Sequence, residues 1–382
     1  MRLQLAVVAL GLAVTAPGFL ASSVARADGS ISARGVYYKE RATRVVQPML
    51  DAMFEVGERG LVNGHFLVDA ITSASQSAGA VEAEPFTENR YEVGFGYTHL
   101  LDAADGMRLG AVGKYSTESD YVSFYVGLRA EVDLAQKNTT LGIGGGVGND
   151  TISGGPASGL AQLMLQCAPG EVVTTECELA TYNGYLSVRQ LVSQRAVVGL
   201  TYDVAALRGF QSNPYRSAIV GIMTERERHP TERLRQALGI SARYFLDATK
   251  TTLVAGYRFY RDDWLRRDAV GAGAHTPEVR IVQQVGETAD ASFGYRFHSQ
   301  LRAFFYRDRY NEQQMYISDD VKLSRFHTHA VEAKLGMLGE AFELSGRWSA
   351  ARFEGILQYV AQDNRFGNAF VIHLALTLPF EY

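Results

Sequence analysis

The residues best equipped to act on a solute are basic and fall at two-residue spacing. Arg108, Lys114, Arg129, Arg243, Arg258, Arg280, Arg296 and Arg302 share the polar parity of their segments with Arg189, Arg195 and Lys334. The carboxylates Asp69, Glu92, Glu131, Asp133, Asp203, Asp247, Glu278, Glu332 and Glu354 fall on the same parity. Cationic side chains gathered on one wall of a water-filled passage focus a field and favour anionic solutes. The most lopsided stretch runs from 236 to 307, where Arg243, Arg258, Arg280, Arg296 and Arg302 face only Asp247 and Glu278. A second reading stays open at this point, in which the charges pair and fill a closed interior.

Other chemistry is weaker. Ser187, Ser241 and His373 lie on the polar parity, with Thr377 near His373, but no G-x-S-x-G elbow or local Ser-His motif accompanies them, so an outer-membrane hydrolase ranks third. His327 and His329 share the parity of Val331, Ala333 and Leu335 and read as interfacial residues; His65 near Asp69 is too small a donor set for a metal. Cys167 and Cys177 are close enough to close a small disulfide loop in an oxidising compartment. The run GIGGGVG at 142–148 lacks the Lys-Ser/Thr of a phosphate-binding loop and reads as a strand of little side-chain bulk, where the barrel wall bends or another segment packs. ERERHPTERLR at 225–235 reads as a solvated loop. No cofactor motif is present, and none is expected.

These residues need walls to hold them, and the apolar pattern supplies strands. The chain closes on NAFVIHLALTLPFEY, in which Phe370, Ile372, Leu374, Leu376, Leu378, Phe380 and Tyr382 alternate with smaller or polar residues. Alternation of this kind puts one greasy face on a strand. Val122, Phe124, Val126 and Leu128 do the same opposite Tyr121, Ser123, Tyr125 and Arg129, a face too polar for a sandwich core. Such blocks recur from Leu61 to the end and number 14, with SFGYRFHSQLRAFF taken as one long strand; 12 and 16 are the alternatives. Connections alternate between short ones such as AQKN and VSQ and long ones at 74–88, 150–180, 206–235 and 263–275. All of this predicts an all-β fold, a transmembrane antiparallel up-and-down β-barrel.

The N-terminus agrees. Arg2, the apolar run from Leu5 to about Leu20 and Ala25-Arg26-Ala27 form a secretory signal over 1–27, so that Asp28 begins the mature chain. Residues 28–59 show no sustained two-residue period and read as a periplasmic leader or plug ahead of a barrel over 60–382. Loss of Arg2 and Arg26 takes the formal charge from −4 to −6, which excludes a nucleic-acid binder. Thirty-eight Gly, 20 Tyr and 19 Phe against two Cys suit a lipid-facing wall.

Tyr37-Tyr38-Lys39-Glu40, Arg44-Val45-Val46-Gln47-Pro48 and Val68-Asp69-Ala70-Ile71-Thr72 resemble the Y-Y-x-E, R-V-x-x-P and V-D-A-I-T motifs of an uncharacterised family of bacterial outer-membrane β-barrels, a domain of unknown function. The resemblance implies a Gram-negative outer-membrane location and no activity. Neighbouring flavin-transferase and lipoprotein genes in that family imply an envelope redox assembly, with a periplasmic or lipoprotein partner at 28–59. The leading expectation is a pore or transport conduit for a small solute, in contact with lipid and with the barrel-assembly machinery, for which Phe380 and Tyr382 are the assembly signal. A closed barrel serving that redox or flavin-modified assembly is the alternative.

Overall fold

A computed structural model describes residues 29–41, 43–73, 86–101, 106–154, 164–265 and 273–380. The signal segment and Tyr382 lie outside the described residues. Eighteen strands follow in chain order: β1 (Gly29–Lys39), β2 (Thr43–Val56), β3 (Gly60–Ser73), β4 (Phe86–Leu101), β5 (Met107–Thr117), β6 (Tyr121–Leu134), β7 (Thr139–Ser153), β8 (Glu176–Ser193), β9 (Ala196–Gly209), β10 (Ser217–Val220), β11 (Met223–Arg226), β12 (Glu232–Leu246), β13 (Thr251–Asp262), β14 (Ala274–Val285), β15 (Ala289–Gln300), β16 (Phe326–Leu338), β17 (Arg352–Gln362) and β18 (Ala369–Phe380). Sixteen of them form one closed barrel, and β10 and β11 pair as a separate hairpin. The seam joins β1 to β18, with Gly29 opposite Phe380. No helix among the described residues is long and apolar enough to cross a membrane.

The alternating blocks explain the wall. On β6, Val122, Phe124, Val126 and Leu128 all point outward, and Leu128 leaves 66% of its surface uncovered; on β18 Leu374 leaves 63%. Side chains this apolar would be buried in a water-soluble fold, whereas a barrel in lipid turns them to the solvent that suits them. The other face carries the charges. A sixteen-stranded barrel is wide enough to keep an aqueous interior.

Three expectations need correction. The count is 16 strands, not 14, and the two extra strands are β1 and β2, so the described residues of the 28–59 stretch, expected as a leader or plug, form wall strands and their turns. That segment is hydrogen-bonded on both sides, to β18 and to β3, and its backbone is not a free surface for a partner. Its period was masked because Val45 and Met49 put apolar side chains on the inward face, and because Pro48 cannot donate to the ladder, where β2–β3 pairing skips from Val46–Ala70 to Met49–Leu67. Strand β15 also ends at Gln300, so SFGYRFHSQLRAFF leaves the wall halfway: Ala303 and Phe305 are buried in a loop core.

Gly29 and Phe380, the first and last described residues, lie on one rim, where the connections between strands are short except for 339–351. At the opposite rim, three connections fold over the mouth. Residues 164–175, the 210–231 connection that contains β10–β11, and 301–325 build a cap with apolar cores of their own. The 210–231 and 301–325 segments are stitched together by bridges between Val220 and Tyr310 and between Arg228 and Ile317, residues far apart in sequence. Gly209 marks where the wall gives way to the cap: its φ is +118°, and a Cβ there would lie 2.1 Å from the Glu178 carbonyl oxygen.

Candidate functional site

The site has two parts, a charged lumen wall and the cap across it. On the wall, neighbouring strands neutralise many of the charges that the sequence brings inward. Arg108 donates both Nη groups to Asp133, at 2.8 and 3.0 Å, and its Nε to Glu131 at 3.2 Å. Lys114 reaches Glu92 at 3.4 Å, and Arg90 binds the same carboxylate. His65 pairs with Asp51 at 2.7 Å, not with Asp69, and Arg34 completes that cluster. Arg280 binds Glu332 at 2.8 Å, while Lys334 and Arg352 share Glu354.

A smaller set keeps its charge uncovered. Arg258 stands 4.0 Å from Asp203 with both side chains about half exposed, a separation that water screens well. Arg129 donates to the Thr98 hydroxyl at 2.7 Å and has no carboxylate partner among the described residues. Arg243 and Arg296 have no hydrogen bond or ion pair among those residues. Arg302 is not on the wall at all: it lines a cleft of ≈ 730 Å³ between the 301–325 segment and the 363–368 turn, together with Arg325, Arg365, Asp308 and Asp363. The wall therefore presents unpaired guanidinium groups on β6, β12 and β15.

The glycine run of β7 takes the role expected of a bare strand. A Cβ at Gly144 would meet the ring of Tyr185, and one at Gly146 would meet Tyr125, so these two rings lie flat across the stripe. Tyr125 donates to Asn183 at 3.1 Å and is held there. Aromatic rings covering glycines in this way stiffen a wall that would otherwise be underpacked.

The cap is what sequence reasoning missed. Arg216 and Asp320 form a buried ion pair at 2.5 Å. Arg233 donates to Asp262 at 2.8 Å and lies over the Trp264 ring, 4.0 Å from its centroid. Glu227 accepts from the Ser318 hydroxyl at 2.7 Å, which fastens the 210–231 segment to the 301–325 segment. Asp319 faces Arg365 at 3.5 Å; burial pushes its carboxyl up to about 7, with Arg365 pulling down and Glu227 pushing up. Burial also lowers the Lys322 ammonium, against the pull of Asp320. Glu227, His229 and Arg233 belong to the stretch read as solvated, and all three are buried. The signal that could have exposed this was the apolar content of the neighbouring loops, Trp264, Phe305, Ile317, Val321 and Leu323.

Cys167 and Cys177 are joined as a disulfide, and Cys177 packs with Leu165, Leu179 and Phe210 in one of the cap cores. His327 and His329 sit on the lipid face at the capped rim, where His329 meets the Tyr295 hydroxyl at 2.7 Å. Ser187, Ser241 and His373 are not brought together: Ser187 lies opposite Gly142 and Thr201, Ser241 opposite Gly199, and His373 opposite Val36 and Ile356. Phe380 lies tilted against Phe54, 5.5 Å between ring centroids, and covers Gly29 at the seam.

With this geometry in hand, the chain can be set beside known proteins. A family model described as a protein of unknown function, DUF3570, matches residues 80–363. No curated protein matches. Among solved structures, CdiB from Acinetobacter baumannii aligns at a TM-score of 0.53 and 7% identity over 93% of this chain and 61% of its own. The CymD monoaromatic hydrocarbon channel aligns at 0.44 and 8% identity over 94% of this chain and 90% of that one. A BenF-like porin from Pseudomonas fluorescens Pf-5 aligns at 0.46 and 11% identity over 96% and 100%. At these identities the likeness concerns the fold, a closed barrel of the outer-membrane kind.

Proposed function

The chain belongs to the DUF3570 family of unknown function, and from that premise we propose that it is an outer-membrane pore for small anionic solutes, closed down at one mouth by its cap. The observation that carries the reading is the set of arginines left without carboxylate partners, Arg129, Arg243 and Arg296, on the inner wall of a sixteen-stranded barrel. Fixed positive charge on such a wall draws anions and repels cations. In bacterial barrels with an even strand number both ends of the chain are periplasmic, so the cap faces outward. Signal cleavage after Ala27 and recognition of Phe380 and Tyr382 by the barrel-assembly machinery belong to the same proposal.

Purified mature protein in planar bilayers should give discrete openings with a reversal potential that favours anions. Substituting Arg243→Gln and Arg296→Gln together should move that potential toward zero. A correctly folded barrel that stays silent under all conditions would overturn the pore. The result would then support the second reading, a closed barrel acting as a structural partner in the envelope, which the buried cores of the cap favour.

A further inference from the structure

Between the cap and the wall lies a cavity of ≈ 90 Å³. Its lining is part aromatic, with Tyr121, Phe210 and Trp264, and part basic, with Arg233 over the Trp264 ring, His229 edge-on to that ring, and Arg235. The two arginines are two residues apart on one strand and so point to the same side of the wall. Their situations differ. Arg233 is satisfied by Asp262, whose Oδ2 also accepts from the Tyr260 hydroxyl and whose Oδ1 accepts from the Trp264 amide at 2.6 Å. Asp262 is thus fully engaged.

Arg235 has no hydrogen bond or ion pair among the described residues, and its Nε is buried without a partner. The carboxylates that line the cavity are Asp120 and Asp320, of which Asp320 is already held by Arg216 at 2.5 Å and by the Lys322 amide at 3.0 Å; Asp262, opposite Arg235 in the β12–β13 register, and its neighbour Asp263 act on the guanidinium without reaching ion-pair distance. Arg235 is partly buried, and a guanidinium keeps its proton, so an Nε buried without an acceptor calls for one, which an anion supplies.

We infer that this cavity binds a short-chain carboxylate, with the carboxylate on Arg235 and the alkyl chain against Trp264, Phe210 and Tyr121. The planar fork of a guanidinium matches a carboxylate, and aromatic walls suit a short apolar chain. Size limits the ligand. A cavity of about 150 Å³ accommodates benzene, so the smaller volume here selects acids the size of acetate or propionate over aromatic ones. The inference rests on the pore reading only for the route by which the ligand arrives.

The chain has two tryptophans, Trp264 in the cavity wall and Trp348 in the 339–351 connection. A Trp348→Phe protein in detergent therefore reports on the cavity alone through Trp264 fluorescence. Titration with propionate at fixed pH and ionic strength should give a saturable change, and propionamide, the neutral analogue, should give none. Arg235→Gln should weaken propionate binding at least tenfold, and Arg235→Lys should retain part of it. An equal response to propionate and propionamide overturns the site without the need for any Arg235 variant, as does unchanged affinity in Arg235→Gln. Single-channel recordings on the same preparation separate the two proposals: openings without a Trp264 response sink the site alone, and a Trp264 response in a silent barrel sinks the pore alone.

Discussion

The cap should close more tightly in acid, and Asp319 sets the size of the effect. Its carboxyl is pushed up from 3.8 to about 7 by burial in the closed cap. In an opened cap it would meet water and titrate in the ordinary carboxylate range. The closed form then binds the proton more tightly than the open form. Its advantage is complete below about pH 4, falls as pH rises, and is gone above about pH 7. Between pH 8 and pH 5 those values give the closed state about 2–3 kcal/mol, on the order of a hundredfold in the closed-to-open ratio. The assay is single-channel recording at constant ionic strength across that range, with closed and open dwell times as the readout. Asp319→Asn, which cannot ionise, should stay closed at pH 8 and flatten the profile. The reasoning fails if acid opens the wild-type channel, or if Asp319→Asn keeps the wild-type pH response.

Two further outcomes follow from the geometry. Replacing Cys167 and Cys177 by Ser removes the disulfide beside Leu165, Leu179 and Phe210 and should cost about 2–4 kcal/mol; faster proteolysis of the cap, with the barrel itself intact, would be the measured sign. Leu128→Arg puts a charge on the most exposed of the outward positions of β6 and should destabilise the barrel in lipid by up to about 4 kcal/mol, depending on its depth in the bilayer. Equilibrium unfolding in liposomes reads this directly, and an unchanged midpoint would mean that this face does not meet lipid.

The wall was legible because its logic is local. Each block from Leu61 to Phe380 carries its face assignment in its own alternation, and fourteen of the sixteen wall strands fall where that alternation puts them. The first hairpin was hidden by two local conflicts, the proline at 48 and the apolar inward positions Val45 and Met49. The inward parity of Arg129, Arg243 and Arg296 was equally visible, but which arginines stay unpaired depends on cross-strand register. Asp51, which occupies His65, comes from β2, whose own alternation is broken at Val45, Pro48 and Met49. The cap was illegible for a different reason. Its pairings join Val220 to Tyr310, Arg228 to Ile317 and Arg216 to Asp320, and no short-range period encodes contacts over such separations.

The seam between β1 and β18 makes the first wall strand the partner of the last. The cylinder cannot shut until the C-terminal strand has been delivered, whereas the cap hangs from β7 to β16, one continuous arc of wall away from the seam. The pairings that knit the lid, Val220 with Tyr310, Arg228 with Ile317 and Arg216 with Asp320, therefore do not wait for the seam, and lid and wall can mature independently.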